Sequence, residues 1–296
     1  MNTHDMIHFV AASFGAAAGN SDTEHGPVAI KDSALFDDLP LRYHWNKEIK
    51  LQTDHRGQNA LTAVHEFNDM LADSVHSLVM AKRNFVVFGG DHSIAMGTWS
   101  GASSAIKPHG DLGLIWFDAH MDAHTPETSD SGNFHGMPIA TLLGFGEEKL
   151  TGLIHKDPKI KPQNLVLIGI NSFEEPEREL LERLGVTIFY MEDIKKWGMD
   201  AIMQKALAKI EHCSAFGVSV DVDCIDAEHM PGTGLPIAGG IHPNELTRAL
   251  SEVRGDSRCI GLEITEFNPL KDIDNKSLKV IHDIVASVFC DAGCKA

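Results

Sequence analysis

The sequence predicts an α/β fold, with a mainly parallel sheet sandwiched between helices. Three observations carry this prediction. Short apolar runs alternate with helix-periodic stretches along the chain, the pattern of strand–helix–strand units with right-handed crossovers. Several runs are apolar throughout rather than alternating, as expected of strands covered on both faces. Those runs end in clusters of ionisable residues, and ligands in such folds bind beyond the carboxyl ends of the strands.

The elements follow in order. Residues 7–12 read as the first strand, and the stretch 15–20 reads as a flexible loop of the kind that borders a site. Little periodicity is visible over 22–58. Leu61, Val64, Phe67, Leu71, Val75 and Leu78 recur at helical spacing and predict an amphipathic helix over 61–80. A short strand over 85–88 runs into Gly89-Gly90-Asp91-His92-Ser93, where the glycines permit a sharp turn, and a helix follows over 94–105. Leu114-Ile115-Trp116-Phe117 forms the next strand, followed by a loop and a helix over 137–143. Strands over 164–170, 187–190, 216–220 and 260–264 then alternate with helices over 174–184, 199–212, 243–253 and 278–289. No repeat, low-complexity tract or linker interrupts the pattern, so residues 1–296 are expected to form a single domain.

Composition narrows the classes of partner. The 42 acids against 25 bases give a formal charge of -17, which argues against nucleic acid or an anionic membrane and suits a cationic substrate or metal ions. The five cysteines are odd in number and form no C-x-x-C, so neither a disulfide framework nor a zinc ribbon is expected. A reducing, cytoplasmic location fits this usage. The segment Met1-Asn2-Thr3-His4-Asp5 lacks a basic leader region, and no apolar run approaches the length of a membrane span.

The strand ending at Phe117 is followed by Asp118, His120 and Asp122, spaced so that an extended chain would point all three to one face. Asp221 and Asp223 alternate in the same way at another strand end, and His92 stands at a third. Such groups on one face stay unsatisfied unless something positive sits among them. Six potential ligands, four of them carboxylates, suit two ions about 3.5–4 Å apart with bridging carboxylates. Ligation rich in carboxylate and free of thiolate fits a hard or borderline ion such as manganese, with zinc, iron and cobalt also open.

Gly89-Gly90-Asp91-His92-Ser93, Asp118-Ala119-His120-Met121-Asp122 and Ser219-Val220-Asp221-Val222-Asp223-Cys224-Ile225-Asp226 resemble the three signature blocks of the ureohydrolases, the arginase and agmatinase superfamily. The resemblance runs from about residue 5 to residue 290. It implies a three-layer α/β/α fold around a mainly parallel eight-stranded sheet. It also implies two Mn2+ per chain, and hydrolysis of a guanidinium group to urea and an amine. By resemblance, His92, Asp118, Asp122 and Asp221 hold one ion, while His120, Asp118, Asp221 and Asp223 hold the other. Asp118 and Asp221 bridge them. A water shared by the ions becomes a hydroxide that attacks the guanidinium carbon, oriented by Asp122. Glu266, in Glu263-Ile264-Thr265-Glu266-Phe267-Asn268-Pro269, matches the segment whose carboxylate grips the guanidinium. His135 matches the histidine that protonates the leaving amine. A homo-oligomer, trimer or hexamer, is the family's common state.

Ser131-Gly132-Asn133-Phe134-His135-Gly136 matches the arginase form of this loop, whose neutral donors at Ser131 and Asn133 suit an α-carboxylate. Glu174 and Glu177 fall where arginases place acids for the α-amino group. L-Arginine is therefore the expected substrate, with agmatine or another guanidino compound as the alternative. A metal-binding relative without catalysis and a deacetylase-type enzyme are the more distant ones. His124 replaces a common Asn and is still able to donate to a carboxylate. Asn171, Glu174, Asp226-Ala227 and Leu235 also depart from the frequent arginase residues, all in the substrate-binding region.

Overall fold

The computed structural model describes residues 6–19 and 22–290. In chain order the elements are β1 (Met6–Ser13), α1 (Gly26–Lys31), β2 (Arg42–Trp45), β3 (Ile49–Lys50), α2 (Leu61–Met80), β4 (Phe85–Gly89), α3 (Ala95–Ile106) and β5 (Leu112–Phe117). They continue with α4 (Pro138–Leu142), α5 (Glu148–Thr151), β6 (Leu165–Ile170), α6 (Glu175–Leu184), β7 (Thr187–Tyr190), α7 (Met191–Trp197) and α8 (Met199–Lys209). The last are β8 (Ala215–Asp221), α9 (Pro243–Leu250), β9 (Cys259–Thr265) and α10 (Lys276–Phe289).

The strands pair in the order β2-β1-β4-β9-β8-β5-β6-β7, and the two-residue β3 is a ninth strand that pairs with β1. Every pairing is parallel. Alternation along each strand feeds two cores, one on each face of the sheet. Val86 and Phe88 of β4, Ile115 and Phe117 of β5, and Val218 and Val220 of β8 pack against residues of α8, α9 and α10. Phe85 and Val87, with Leu114 and Trp116, face the other way, against α2 and α3. The result is three layers, and it explains why the central strands read as unbroken apolar runs.

On the α3 side of β8 the alternate residues are small. A Cβ at Gly217 would lie 2.0 Å from the Trp99 ring, so only glycine lets α3 seat its indole on the sheet. Beyond it the same face carries Ser219 and Asp221, and the apolar layer gives way to the site.

The weakly periodic stretch holds α1, β2 and β3. Edge strand β2 is only four residues long and half-exposed, so it carries no apolar run. Its Tyr43 nevertheless stacks on Phe9 at 4.6 Å. The helix expected over 243–253 ends at Leu250 and tightens into a 3-10 turn over Ser251–Val253. The segment 15–19, expected to be a free loop, is largely buried and tied down, because Asp91 Oδ2 accepts from the N–H groups of Ala17 (2.8 Å) and Ala18 (3.3 Å). Asn20 and Cys294 lie outside the described residues.

Candidate metal centre and active site

The six expected ligands meet at the carboxyl ends of β4, β5 and β8. His92 opens the turn after β4, capped by Asp91, whose side chain accepts from Ser93 N. Its Nδ1 lies 3.2 Å from Asp118 Oδ2, 3.2 Å from Asp122 Oδ2 and 3.1 Å from Asp221 Oδ2. That nitrogen is buried and makes no hydrogen bond to any of them. His120 Nδ1 lies 3.1 Å from Asp223 Oδ2 and 3.6 Å from Asp118 Oδ1. Two ligand sets result, His92 with Asp118 and Asp221, and His120 with Asp118 and Asp223. Asp118 belongs to both. Orphaned imidazole nitrogen facing convergent carboxylate oxygens is the donor arrangement a divalent ion satisfies.

The convergence does not arise as simple alternation predicts. The strand stops at Phe117, and Asp122 reaches the cluster through a left-handed backbone with φ 47°. Likewise Asp223 sits on a 3-10 turn over Val222–Cys224 that Asp221 caps, its side chain accepting from Asp223 N at 2.8 Å. Glu266 too is left-handed, with φ 64°. Non-glycine residues rarely adopt this conformation, and two of the seven described residues that do, Asp122 and Glu266, belong to the site.

A second layer orients the first. Ser219 Oγ donates to Glu263 Oε1 at 2.7 Å and therefore accepts from His92 Nε2, 3.0 Å away, which turns the Nδ1 lone pair toward the carboxylates. Trp99 Nε1 donates to the same Glu263 oxygen at 3.0 Å. Trp116 stacks on the His92 ring at 4.1 Å and donates its Nε1–H to Asp118 Oδ2 at 2.8 Å. Ser219 was legible, since it stands one alternation before Asp221 on the same face. The two tryptophans read only as core residues.

Charge at the centre is poorly balanced. Burial, then the Asp118 charge, pushes the Asp122 carboxyl up to about 7. Burial raises Asp221 well above the usual carboxylate range, helped by Asp223 and Asp118. Asp118 goes the other way: burial would raise it, but His120 and His92 hold it below. Burial alone would lower His92, yet its three carboxylate neighbours raise it well above an ordinary imidazole. Asp122, Asp221 and His92 thus hold protons where a divalent cation would neutralise the cluster.

In front of the ligands lies a pocket of about 260 Å³. His135 and Glu266 face each other across it, Nδ1 to Oε1 at 3.5 Å, and Glu266 Oε1 also accepts from His92 N at 2.9 Å. Burial opposes the His135 imidazolium, but Glu266, Asp122 and Asp91 push its pKa up to about 9. His124, Ser131, Asn133, Glu174 and Glu177 all line the same pocket. Three of them have further tasks. Glu177 is 4% exposed and accepts from Ala123 N (3.0 Å) and Glu174 N (2.9 Å), closing a capping box at the start of α6. His124 bridges Thr128 Oγ1 at 3.2 Å and Glu177 Oε2 at 3.4 Å. Asn133 fills the space above Gly57, where its Oδ1 would lie 2.4 Å from a Cβ. The sequence missed Ser129, Asp130 and Phe173, which also line the pocket; nothing in their spacing marks them.

The Arginase family profile matches residues 5–290. An arginase of Bacillus subtilis (strain 168) is 38% identical over 277 residues, which is 89% of this chain and 90% of that protein. An arginase of Bacillus caldovelox is 39% identical over 277 residues, 89% of this chain and 91% of its own. The crystal structure of arginase from Bacillus subtilis superposes with a TM-score of 0.90 at 33% identity, covering 98% of this chain and 100% of that one.

Proposed function

Because the chain belongs to the arginase family, we propose that it hydrolyses L-arginine to L-ornithine and urea with two Mn2+ per chain. The observation that carries the reading is the buried, unpartnered Nδ1 of His92 among three carboxylate oxygens at 3.1–3.2 Å, with Glu266 and His135 directly in front. In this reading His92, Asp118, Asp122 and Asp221 hold one ion, and His120, Asp118, Asp221 and Asp223 hold the other. Two divalent ions there supply charge neutralisation and acidify a water enough to make it nucleophilic near neutral pH.

The chain's own groups do the rest. Glu266 is 6% exposed and, among the described residues, makes an ion pair only with His135, so its carboxylate is placed to pair with a guanidinium at the pocket floor. Asp122 orients the attacking oxygen, because its carboxylate edges both the His92 cluster and the pocket. His135 holds a proton beside Glu266 and gives it to the departing amine nitrogen, which leaves poorly as an anion. At the mouth Ser131, Asn133 and His124 receive the α-carboxylate. Glu174, whose side chain is more exposed than that of Glu177, receives the α-ammonium together with Glu177.

One observation favours a second reading. No Lys or Arg lines the pocket among the described residues, while exposed Asp130 and Glu174 stand at its rim. That balance suits agmatine, which carries no carboxylate. Urea release measured side by side with L-arginine, agmatine and guanidinobutyrate decides. Arginine should be preferred, and a preference for agmatine would move the assignment to that substrate. A cytoplasmic homo-oligomer, trimer or hexamer, of single-domain chains belongs to the same proposal. The reducing location is supported by the free, buried thiols of Cys213, Cys224 and Cys259, and the oligomer is checked by sedimentation.

A further inference from the structure

Two loops meet at the mouth of the catalytic pocket. One joins β6 to α6 and carries Phe173, and the other leads from the end of β8 toward α9 and carries Leu235. Asn171 Nδ2 donates to Ala238 O at 3.2 Å, so the loops are fastened to each other. Each is also fixed elsewhere. Asn171 N and Ser172 N both donate to Ala119 O, at 2.8 and 2.9 Å. On either side of Leu235, Gly234 N donates to Glu266 O at 3.3 Å, and Ala227 N donates to Ile237 O at 3.0 Å. Lys271 Nζ adds a bond to Gly234 O at 2.8 Å. Pro236 disfavours a helical turn at Leu235. The Phe173 ring leans on Tyr190, with centroids 5.6 Å apart, and has the Arg178 guanidinium over it at 5.7 Å. Even so, Phe173 is 37% exposed and Leu235 53%. A single exposed hydrophobic residue needs no explanation, but two on pinned loops, lining one concavity, form a surface that a ligand could cover.

We propose that Phe173 and Leu235 form an apolar subsite, and that the enzyme also hydrolyses arginine amides whose amide substituent is apolar. This rests on the reading above, in which Glu266 holds the guanidinium and Glu174 with Glu177 the α-ammonium. Glu266 lies at the buried floor, while Glu174, Phe173 and Leu235 are exposed at the rim. Phe173 immediately precedes Glu174, so the second substituent of the same α-carbon emerges beside the Phe173 ring. An amide carbonyl there still accepts from the Ser131 and Asn133 donors. An aromatic or branched aliphatic group on its nitrogen covers Phe173 and Leu235. With no Lys or Arg in the described lining and Asp130 and Glu174 at the rim, an uncharged substituent meets less repulsion than a carboxylate. The reaction is unchanged. Water adds to the guanidinium carbon, the bond to the side-chain nitrogen breaks, and that nitrogen leaves as an ammonium on the ornithine amide, beside urea.

The experiment is isothermal titration of the manganese-loaded, full-length protein with L-ornithine amide and L-ornithine benzylamide. The two carry the same charges and have no guanidinium to hydrolyse, so binding is read without turnover. The benzylamide should bind at least about tenfold more tightly, the return on covering one ring. Phe173→Ala and Leu235→Thr should each cut that ratio about threefold or more. Trp197→Ala, which removes an exposed aromatic outside the pocket lining, should leave the ratio as it was. No saturable binding of the benzylamide, or equal binding of the two amides, would overturn the proposal. So would a ratio kept in both pocket variants, or one lost equally in Trp197→Ala. Urea release then reads the activity, and kcat/KM for L-arginine benzylamide should exceed that for L-arginine amide by a similar factor. Urea from L-arginine and its amide without that gain would overturn the subsite's part in hydrolysis. No urea from any of the three compounds would instead overturn the arginase reading and leave the binding ratio standing.

Discussion

Asp118 faces both His92 and His120, whereas His92 faces only one of the two ligand sets. Asp118→Ala should therefore strip both ions, and His92→Ala mainly one. Metal analysis of the purified variants reads this directly, and equal residual metal in the two would contradict the shared role of Asp118. At the other end of the pocket, Asn133 is assigned to the α-carboxylate. Asn133→Ala should lower kcat/KM for arginine by roughly 10- to 150-fold, the loss of a neutral donor to a charged acceptor, and leave agmatine nearly unaffected. Because Asn133 also packs over Gly57, the melting temperature of the variant is measured alongside. A loss shared equally by both substrates would mean the loop does not read the carboxylate. His135→Ala, in contrast, should slow every guanidinium substrate, since each leaving amine needs a proton.

The start of α6 is where an element, rather than a residue, sets the pocket. The Glu174 and Glu177 side chains cap each other's backbone, Glu175 adds a first-turn acid, and Gly185 at φ 75° ends the helix. Glu177 also holds Ala123 N, one residue past Asp122. Glu177→Ala should cost about 1–2 kcal/mol for the lost cap and should raise KM for arginine as 123–124 loosen. Thermal melts and steady-state kinetics test both parts, and an unchanged melting temperature would show that the box contributes nothing. This dual use was hidden in the sequence, where Glu177 reads simply as an acid near the substrate. The central elements were far more legible. The apolar runs of β4 and β5, and that of β8 interrupted only by Ser219, give way shortly before or at His92, Asp118 and Asp221, so sheet, strand ends and expected ligands could be read together. What could not be read is how Asp122 and Glu266 arrive, because a left-handed φ at a non-glycine residue leaves no periodic trace. Edge strands β2 and β3 were equally silent, being too short and too exposed to generate a run.

At the scale of the whole molecule, the cluster ties stability to metal and pH. Without ions, the fold must keep protons on buried groups. The Asp122 carboxyl, at about 7, and the His135 imidazole, at about 9, both hold protons more tightly than the unfolded chain does. For each, the folded state binds the extra proton, so stability is present at low pH and is lost as pH rises through the folded value. Asp122 loses its contribution between the ordinary carboxylate range and about 7, and His135 loses its own between about 6.5 and about 9. Asp118, held below its usual value, acts only in the opposite, strongly acid direction. The His135 shift alone is on the order of 3 kcal/mol, or roughly 5 °C for a chain of this size. The metal-free protein should therefore melt at progressively lower temperature from pH 6 to pH 9. Adding Mn2+ should raise the melting temperature most at the alkaline end, because ions replace those protons and bind better as the ligands deprotonate. Differential scanning calorimetry across that range, with chelator and with manganese, measures it. Parallel curves for the two forms would show that the ions and the protons do not share the site.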